Sequence, residues 1–287
     1  MDSKQIIMLA LQVSILATVF GFGLKARPGD LLYLWRQPGL LVRSLVAMYL
    51  AMPLVALALV SGFEIPINVK IVLVALSIAP LPPLLPKRDV KAGGHAEYAI
   101  ALMSTLALLS IVLTPLAVAL LGAYFHQPFV MSPVSVAKTI LVAVVLPLAA
   151  GLGVRSLLAD GAERIAGVVM RVGQVLLMGA ALALVGASLP ALWAQVGGGV
   201  VLALATFVVA GMLIGHFLGG PSADDRVVLA LSTANRHPVI ALSIATANFP
   251  EERVGATVML YLLVGIAAGL PYTFLQRRKA ARLASVR

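Results

Sequence analysis

The chain has 287 residues, of which 61% are hydrophobic and 11% are charged, and its formal net charge is +10. A soluble domain has roughly 45–50% apolar and about 25% charged residues, so this composition indicates a membrane protein. The absence of cysteine excludes disulfides, thiol catalysis and cysteine-based metal sites. The four histidines have no HExxH-like spacing, so the sequence offers no metal site either.

A membrane-spanning helix needs about 20 predominantly apolar residues. On that basis the sequence predicts an all-α polytopic protein with nine spans, at 5–24, 38–60, 66–92, 95–124, 132–158, 164–187, 191–218, 223–249 and 252–276. The first run is too long for the apolar core of a signal peptide, and Lys25 and Arg27 follow it instead of a cleavage site, so we expect it to be a retained span.

The third predicted span cannot be a continuous helix. It contains Pro80, Pro82, Pro83 and Pro86, and each proline lacks a backbone donor and clashes with the preceding turn. Such a break leaves backbone carbonyls unpaired at membrane depth, where protein or a water-filled cavity must satisfy them.

The eighth predicted span is also interrupted, at residues 235–238, which read Asn-Arg-His-Pro. Arg236 lies roughly 16 Å along a helix from Asp225, which places the break near the middle of a hydrocarbon core about 30 Å thick. Two interrupted spans that enter from opposite sides are typical of an inverted repeat, and they point to the binding site of a transporter.

The basic residues predict the orientation of the chain and do not indicate a nucleic-acid surface. Most of the 21 lysines and arginines lie near one set of alternating span ends, and the opposite ends carry only Lys4, Lys70, Lys138 and Arg253. The positive-inside rule therefore predicts a cytoplasmic C-terminus and an external N-terminus in a bacterial-type inner membrane.

Three stretches of the chain resemble the bile acid:sodium symporter family. They are residues 20–31, the prolines and glycine at Pro115, Pro147 and Gly151 with their neighbours, and the broken span at 232–249. The resemblance implies a single transmembrane domain over 1–287 in which two inverted repeats form a panel and a core, and it implies that this chain lacks the family's first helix. We expect the panel to comprise 5–60 and 132–187, and the core to comprise 66–124 and 191–276, with the two broken helices crossing.

The family's sodium ligands are not matched in this sequence. Where sodium-coupled members carry a Pro-Gly-Gly-Thr-Ala-Ser-Asn-like stretch, residues 80–86 read Pro-Leu-Pro-Pro-Leu-Leu-Pro. The hydroxyl ligands of the next helix fall on Ala99 and Met103, and the glutamate and glutamine of the second broken helix fall on Ser232 and Arg236. Because hard cations need several oxygen ligands and a guanidinium repels them, we expect no cofactor and no standard two-sodium coupling.

Seven residues are candidates for the solute site. Arg236 and His237 are predicted either to serve substrate or proton coupling, or to neutralise helix carbonyls where relatives hold sodium. The polar residues Ser232, Thr233 and Asn235 could line a cavity or bond locally to the freed backbone.

The remaining two candidates, Lys87 and Arg88, lie in a basic stretch that ends at Lys91. They are either an orientation signal or the lining of a vestibule that attracts anions, and Asp89 and Glu97 could pair with them.

These features predict a secondary carrier of a small organic anion that works by alternating access, with the anion and the lipid bilayer as its partners. The alternatives are a membrane ligand sensor of the same fold and a sodium symporter with relocated ion sites. An enzyme is not expected, because the sequence has no GxSxG elbow, no HExxH and no paired intramembrane carboxylates.

Overall fold

The computed structural model describes residues 3–158 and 161–285, and every regular element within them is a helix. Eight segments of these residues are long and apolar enough to span a membrane, which confirms the all-α polytopic class. They are Gln5–Lys25, Pro38–Gly62, Ala96–Phe125, Pro133–Leu157, Ala162–Trp193, Val200–Leu218, Ala223–Asn248 and Gly255–Lys279. The remaining predicted span, 66–92, consists of two shorter helices on either side of a break.

Fourteen α-helices occur in the described residues, and two short π-helical segments connect some of them. In chain order they are α1 (Ser3–Lys25), α2 (Pro28–Leu31), α3 (Pro38–Leu45), α4 (Met52–Gly62), α5 (Ile67–Ile78), α6 (Leu85–Lys91), α7 (Ala96–Phe125), α8 (Pro133–Ile140), α9 (Leu146–Leu157), α10 (Ala162–Trp193), α11 (Val200–Leu218), α12 (Ala223–Ala234), α13 (Pro238–Asn248) and α14 (Gly255–Ser285). The broken spans are therefore α5–α6 and α12–α13, as the prolines and the Asn-Arg-His-Pro sequence predicted.

A π-helical segment, Val46–Ala51, joins α3 to α4 just before Pro53. A proline inside a helix has no N–H, and its ring clashes with the carbonyl four residues earlier, so the backbone widens locally. The Met52 N–H bonds to the Ala47 carbonyl. As a result, the Met48 carbonyl has no donor in its own helix, because Met52 bonds elsewhere and Pro53 has no hydrogen to give.

The same arrangement recurs between α8 and α9. The π-helical segment Leu141–Val145 precedes Pro147 there, and the Leu146 N–H bonds to the Leu141 carbonyl. The hydropathy of these runs predicted two continuous spans, and the prolines explain why each contains one irregular turn.

The helices form two packed groups. Helix α1 packs mainly against α9 and α10, whereas the largest hydrophobic cluster is built mainly from residues of α4, α5, α7, α11, α13 and α14, with a few from α8, α10 and α12. Segment 38–62 was predicted to belong to the panel with α1, but its contacts are mainly with α5 and α11. Segment 38–62 therefore contacts mainly helices of the predicted core, and the division into panel and core stays a prediction.

Close approach of α1 and α9 depends on two glycines. A Cβ atom on Gly151 would overlap the Phe20 carbonyl oxygen and the backbone of Gly23, so neither neighbour could move away cheaply. We expect Gly151→Ala to destabilise the protein by about 1–3 kcal/mol, the usual cost of overpacking, measured as thermal unfolding in detergent. Gly153→Ala is the matched control, since nothing lies within 4 Å of its added Cβ. Equal melting temperatures for the two variants would refute this contact.

Candidate functional site

The two broken spans meet at their breaks. Helix α5 packs against α13 and α6 packs against α12, so each half of one span lies on a half of the other. At the meeting point, the His237 N–H donates a hydrogen bond of 2.8 Å to the Pro80 carbonyl. The predicted crossing of the two broken helices is therefore confirmed.

Three successive carbonyls at the end of α5 lose their helical donors, and each is bonded by another element. The Thr114 hydroxyl donates to Ile78 at 3.2 Å, the Arg236 Nη1 donates to Ala79 at 3.3 Å, and His237 donates to Pro80. The first break is thus satisfied by protein groups, as irregular backbone at membrane depth requires.

Arg236 is fully buried, with 0% of its surface exposed. Its Nη2 donates a hydrogen bond of 2.8 Å to Met48, the carbonyl that Pro53 leaves without a donor in its own helix. The guanidinium therefore bonds the backbone of two other helices at once. Of its two predicted roles, this geometry favours the neutralisation of helix carbonyls.

Tyr261 on α14 stabilises the second break. Its hydroxyl accepts a hydrogen bond of 2.8 Å from the Arg236 N–H and donates one of 3.0 Å to the Ala234 carbonyl at the end of α12. Sequence reasoning did not single out Tyr261, because its distance along the chain gave no signal that it would lie beside the break.

His237 caps the second half of the broken span. It is 4% exposed, and its Nδ1 accepts a hydrogen bond of 3.4 Å from the Ile240 N–H in the first turn of α13. Pro238 occupies the first helical position, where its missing N–H costs nothing. A ring nitrogen that accepts must be unprotonated, so this contact suits a neutral imidazole.

The other polar candidates of α12 have different environments. Asn235 donates to the Leu231 carbonyl at 2.7 Å and accepts from the Arg88 Nη1 at 3.2 Å, so it combines a local bond with a contact to α6. Thr233 is buried, and its hydroxyl has no hydrogen-bond partner among the described residues. Ser232 donates to the Asp89 carboxylate at 3.4 Å.

A cavity of about 230 Å³ lies between α1 and α10 on one side and α6 and α14 on the other. Its lining contains four cations and no carboxylate: Lys87, Arg88, Lys91 and Arg277, with Thr18, Leu84, Gln174, Leu177 and Met178. The Lys87 ammonium donates to the Gln174 side chain at 2.8 Å and to the Met170 carbonyl at 3.3 Å, and so joins α6 to α10. The cavity therefore has the charge of an anion site.

Of the seven predicted site residues, Lys87 and Arg88 line this cavity. The other five lie outside its lining: Ser232, Thr233, Asn235, Arg236 and His237. Arg277 was missed, because the basic residues at span ends predicted only the orientation of the chain. It is held at the cavity by a 2.6 Å hydrogen bond from its Nε to the Lys91 carbonyl.

In the part of the chain that the structure describes, Asp89 and Glu97 form no ion pair within 4.0 Å with the basic stretch. Glu97 lies 3.9 Å from the ring of His95, and Asp89 accepts from Ser232 on α12. Residue 89 follows Arg88 directly, and successive residues of a helix point in different directions. Arg88 therefore faces the cavity while Asp89 faces the core.

Three of the residues that the resemblance places at the family's sodium-ligand positions have no oxygen in their side chains: Ala99, Met103 and Arg236. Ala99 and Met103 are buried in apolar clusters, and Arg236 places its guanidinium on the freed carbonyls. A fixed positive charge there opposes the entry of a metal cation.

Comparison with known proteins agrees with this architecture. The model of the sodium bile acid symporter family matches residues 12–190, a range that ends before the second broken span. A curated relative, the uncharacterized sodium-dependent transporter YocS of Bacillus subtilis (strain 168), is 30% identical over 137 residues. That match covers 48% of this chain and 42% of the relative's length. With more than half of its length matched by the family model, the chain belongs to the sodium bile acid symporter family.

Proposed function

We propose that this protein is a secondary transporter that moves a small organic anion across a bacterial-type inner membrane by alternating access. The observation that carries the proposal is the cavity lined by Lys87, Arg88, Lys91 and Arg277 between two helix groups. Relative movement of α1 and α10 against α6 and α14 would open such a cavity first to one side and then to the other.

The charge of the lining supports an anionic solute. Charges at the edge of a membrane domain interact more strongly than in bulk water, because the low-dielectric surroundings screen them less. A bound anion would therefore be stabilised by several cations that have no carboxylate of their own in the cavity. The positive-inside rule predicts that these cations lie on the cytoplasmic side, with the C-terminus.

The size of the cavity supports a small solute. Its volume of about 230 Å³ lies below the roughly 300–1,000 Å³ that is typical of sites for drug-sized molecules. An anion of a few carbon atoms fits this volume better than a large amphipathic one.

We further propose that transport does not use the two sodium ions of the family's standard mechanism. The Arg236 guanidinium donates to the Ala79 and Met48 carbonyls and neutralises their partial negative charge, as a bound cation would otherwise do. The sodium dependence in the name of the Bacillus relative describes that protein, and its match covers less than half of either chain.

Uptake into proteoliposomes tests both proposals. We expect the purified protein to take up at least one of acetate, succinate, citrate and ethanesulfonate at equal rates in sodium and in potassium buffers. Protein-free liposomes provide the control. No flux of any organic anion would contradict the carrier, whereas flux that requires sodium would contradict only the proposed independence from sodium.

A further inference from the structure

Asp89 is a buried carboxylate that the proposed transport site does not use. It lies on α6, directly after Arg88, and only 1% of its surface is exposed. One oxygen accepts the 3.4 Å hydrogen bond from Ser232, and the other oxygen, Oδ1, has no partner among the described residues. An ionised carboxylate with an unpaired oxygen is costly in such a place, and a bound proton would remove that cost.

The groups that face Asp89 leave it without a bonded cation. Arg88, its neighbour on α6, directs Nη1 to Asn235 on α12. Ser232 faces it from α12, and the tyrosine hydroxyls of Tyr98 on α7 and Tyr272 on α14 are close enough to interact with it electrostatically. The groups that face Asp89 from α7, α12 and α14 are thus neutral, and the positive charge that acts on it is that of Arg88, the preceding residue of its own helix.

We propose that Asp89 binds and releases a proton during transport and that this step couples anion movement to the proton gradient. A proton from the aqueous phase forms an O–H bond with the carboxylate on one side of the membrane and returns to water on the other side. No other covalent bond changes. This inference rests on the proposed function, since it supplies that carrier with its driving ion.

Arg88 connects the proton site to the anion cavity. Arg88 lines the cavity and interacts electrostatically with Asp89, the next residue. When Asp89 is ionised, its negative charge offsets part of the positive charge that an anion in the cavity experiences. When Asp89 is protonated, that offset disappears and the anion binds more tightly. Because such coupling is reciprocal, a bound anion equally favours the protonated form, and proton and anion travel together.

The first experiment needs no solute. Purified protein in nanodiscs is titrated with acid while the infrared band of protonated carboxylic acids is followed. Because the chain has 11 acidic residues, we expect the band to grow on acidification in both proteins, with one component that is present in the wild type and missing in Asp89→Asn. Glu97→Gln, which removes an exposed carboxylate on α7, should keep it. If the titrating bands of the wild type and of Asp89→Asn are the same, the proposal that Asp89 binds a proton is overturned.

The second experiment measures coupling with acetate, succinate, citrate and ethanesulfonate in proteoliposomes. With acid outside, we expect the wild type and Glu97→Gln to accumulate the transported anion, and we expect its affinity to be about tenfold tighter in acid than in alkaline buffer. Asp89→Asn should exchange the same anion across the membrane but should not accumulate it. Accumulation by Asp89→Asn at the wild-type level would overturn the coupling. Failure of the wild type to exchange any of the four anions would instead contradict the carrier, and the infrared titration would still decide whether Asp89 binds a proton.

Discussion

Arg236→Ala should lower the stability of the folded protein strongly and abolish transport. The guanidinium donates to the Ala79 and Met48 carbonyls, and neither has a donor in its own helix. Each buried acceptor left without a donor costs about 1–3 kcal/mol, so we expect a loss of about 2–6 kcal/mol, seen as a lower midpoint of thermal unfolding in detergent. Transport should fail because the two broken spans lose one of the contacts that join their breaks.

Two comparisons make this result specific to the crossover. Arg164→Ala removes an exposed arginine of α10 and should leave the unfolding midpoint unchanged. The wild type should unfold at the same temperature in sodium and in potassium salts, because Arg236 already provides the positive charge. If Arg236→Ala is as stable and as active as the wild type, the guanidinium has neither the structural nor the functional role proposed for it.

Loss of one cavity cation should weaken anion binding by about ten- to a hundredfold. Hydrogen bonds to charged groups contribute about 1.5–3 kcal/mol, and about 1.4 kcal/mol corresponds to a tenfold change in affinity. Arg277→Gln and Lys87→Gln each remove one cation from the lining while keeping a side chain of similar length. We expect both to raise the dissociation constant of the transported anion, measured by calorimetry on purified protein.

Arg278 provides a matched control for Arg277. It is the next residue on α14, but its guanidinium lies 4.1 Å from the centre of the Phe274 ring and does not line the cavity. Arg278→Gln should therefore bind the anion as the wild type does. If Arg277→Gln and Arg278→Gln weaken binding equally, the effect comes from net charge and the cavity is not the anion site.

The position of the breaks followed directly from residue chemistry. Four prolines in one apolar run and an Asn-Arg-His-Pro sequence in another cannot form uninterrupted helices, whatever surrounds them. The burial of Arg236 could also be expected, since its neighbours on both sides are apolar spans. The positions of the breaks and the burial of Arg236 depend on neighbouring residues in the chain, so they could be predicted from the local sequence.

The partners of these residues could not be predicted in the same way. That Arg236 meets Met48 depends on how α12 crosses the helix that contains Pro53, and hydropathy carries no information on which helices pack together. The same limit explains why the contacts of segment 38–62 with α5 and α11 were not predicted. Small residues such as Gly151 decide close approach, but a sequence rich in glycine does not reveal which of them face a neighbour.

Asp89 and Arg277 illustrate a second limit. Both lie among basic residues, and a charge cluster at the end of a span is usually an orientation signal. Rotation about the helix axis decides whether such a residue faces lipid, a cavity or the core, and this rotation is set by tertiary packing. The chemistry of these two side chains became interpretable only when their neighbours were known.

Pro53 and Arg236 depend on each other although most of the chain separates them. Pro53 leaves the Met48 carbonyl without a donor in its own helix. The buried Arg236 guanidinium donates a hydrogen bond to that carbonyl. Exchanging Pro53 alone would let the Met48 carbonyl return to its own helix, and the arginine would then have one acceptor fewer. The two positions should therefore tolerate change only as a pair, so that homologues that lack one would be expected to lack the other.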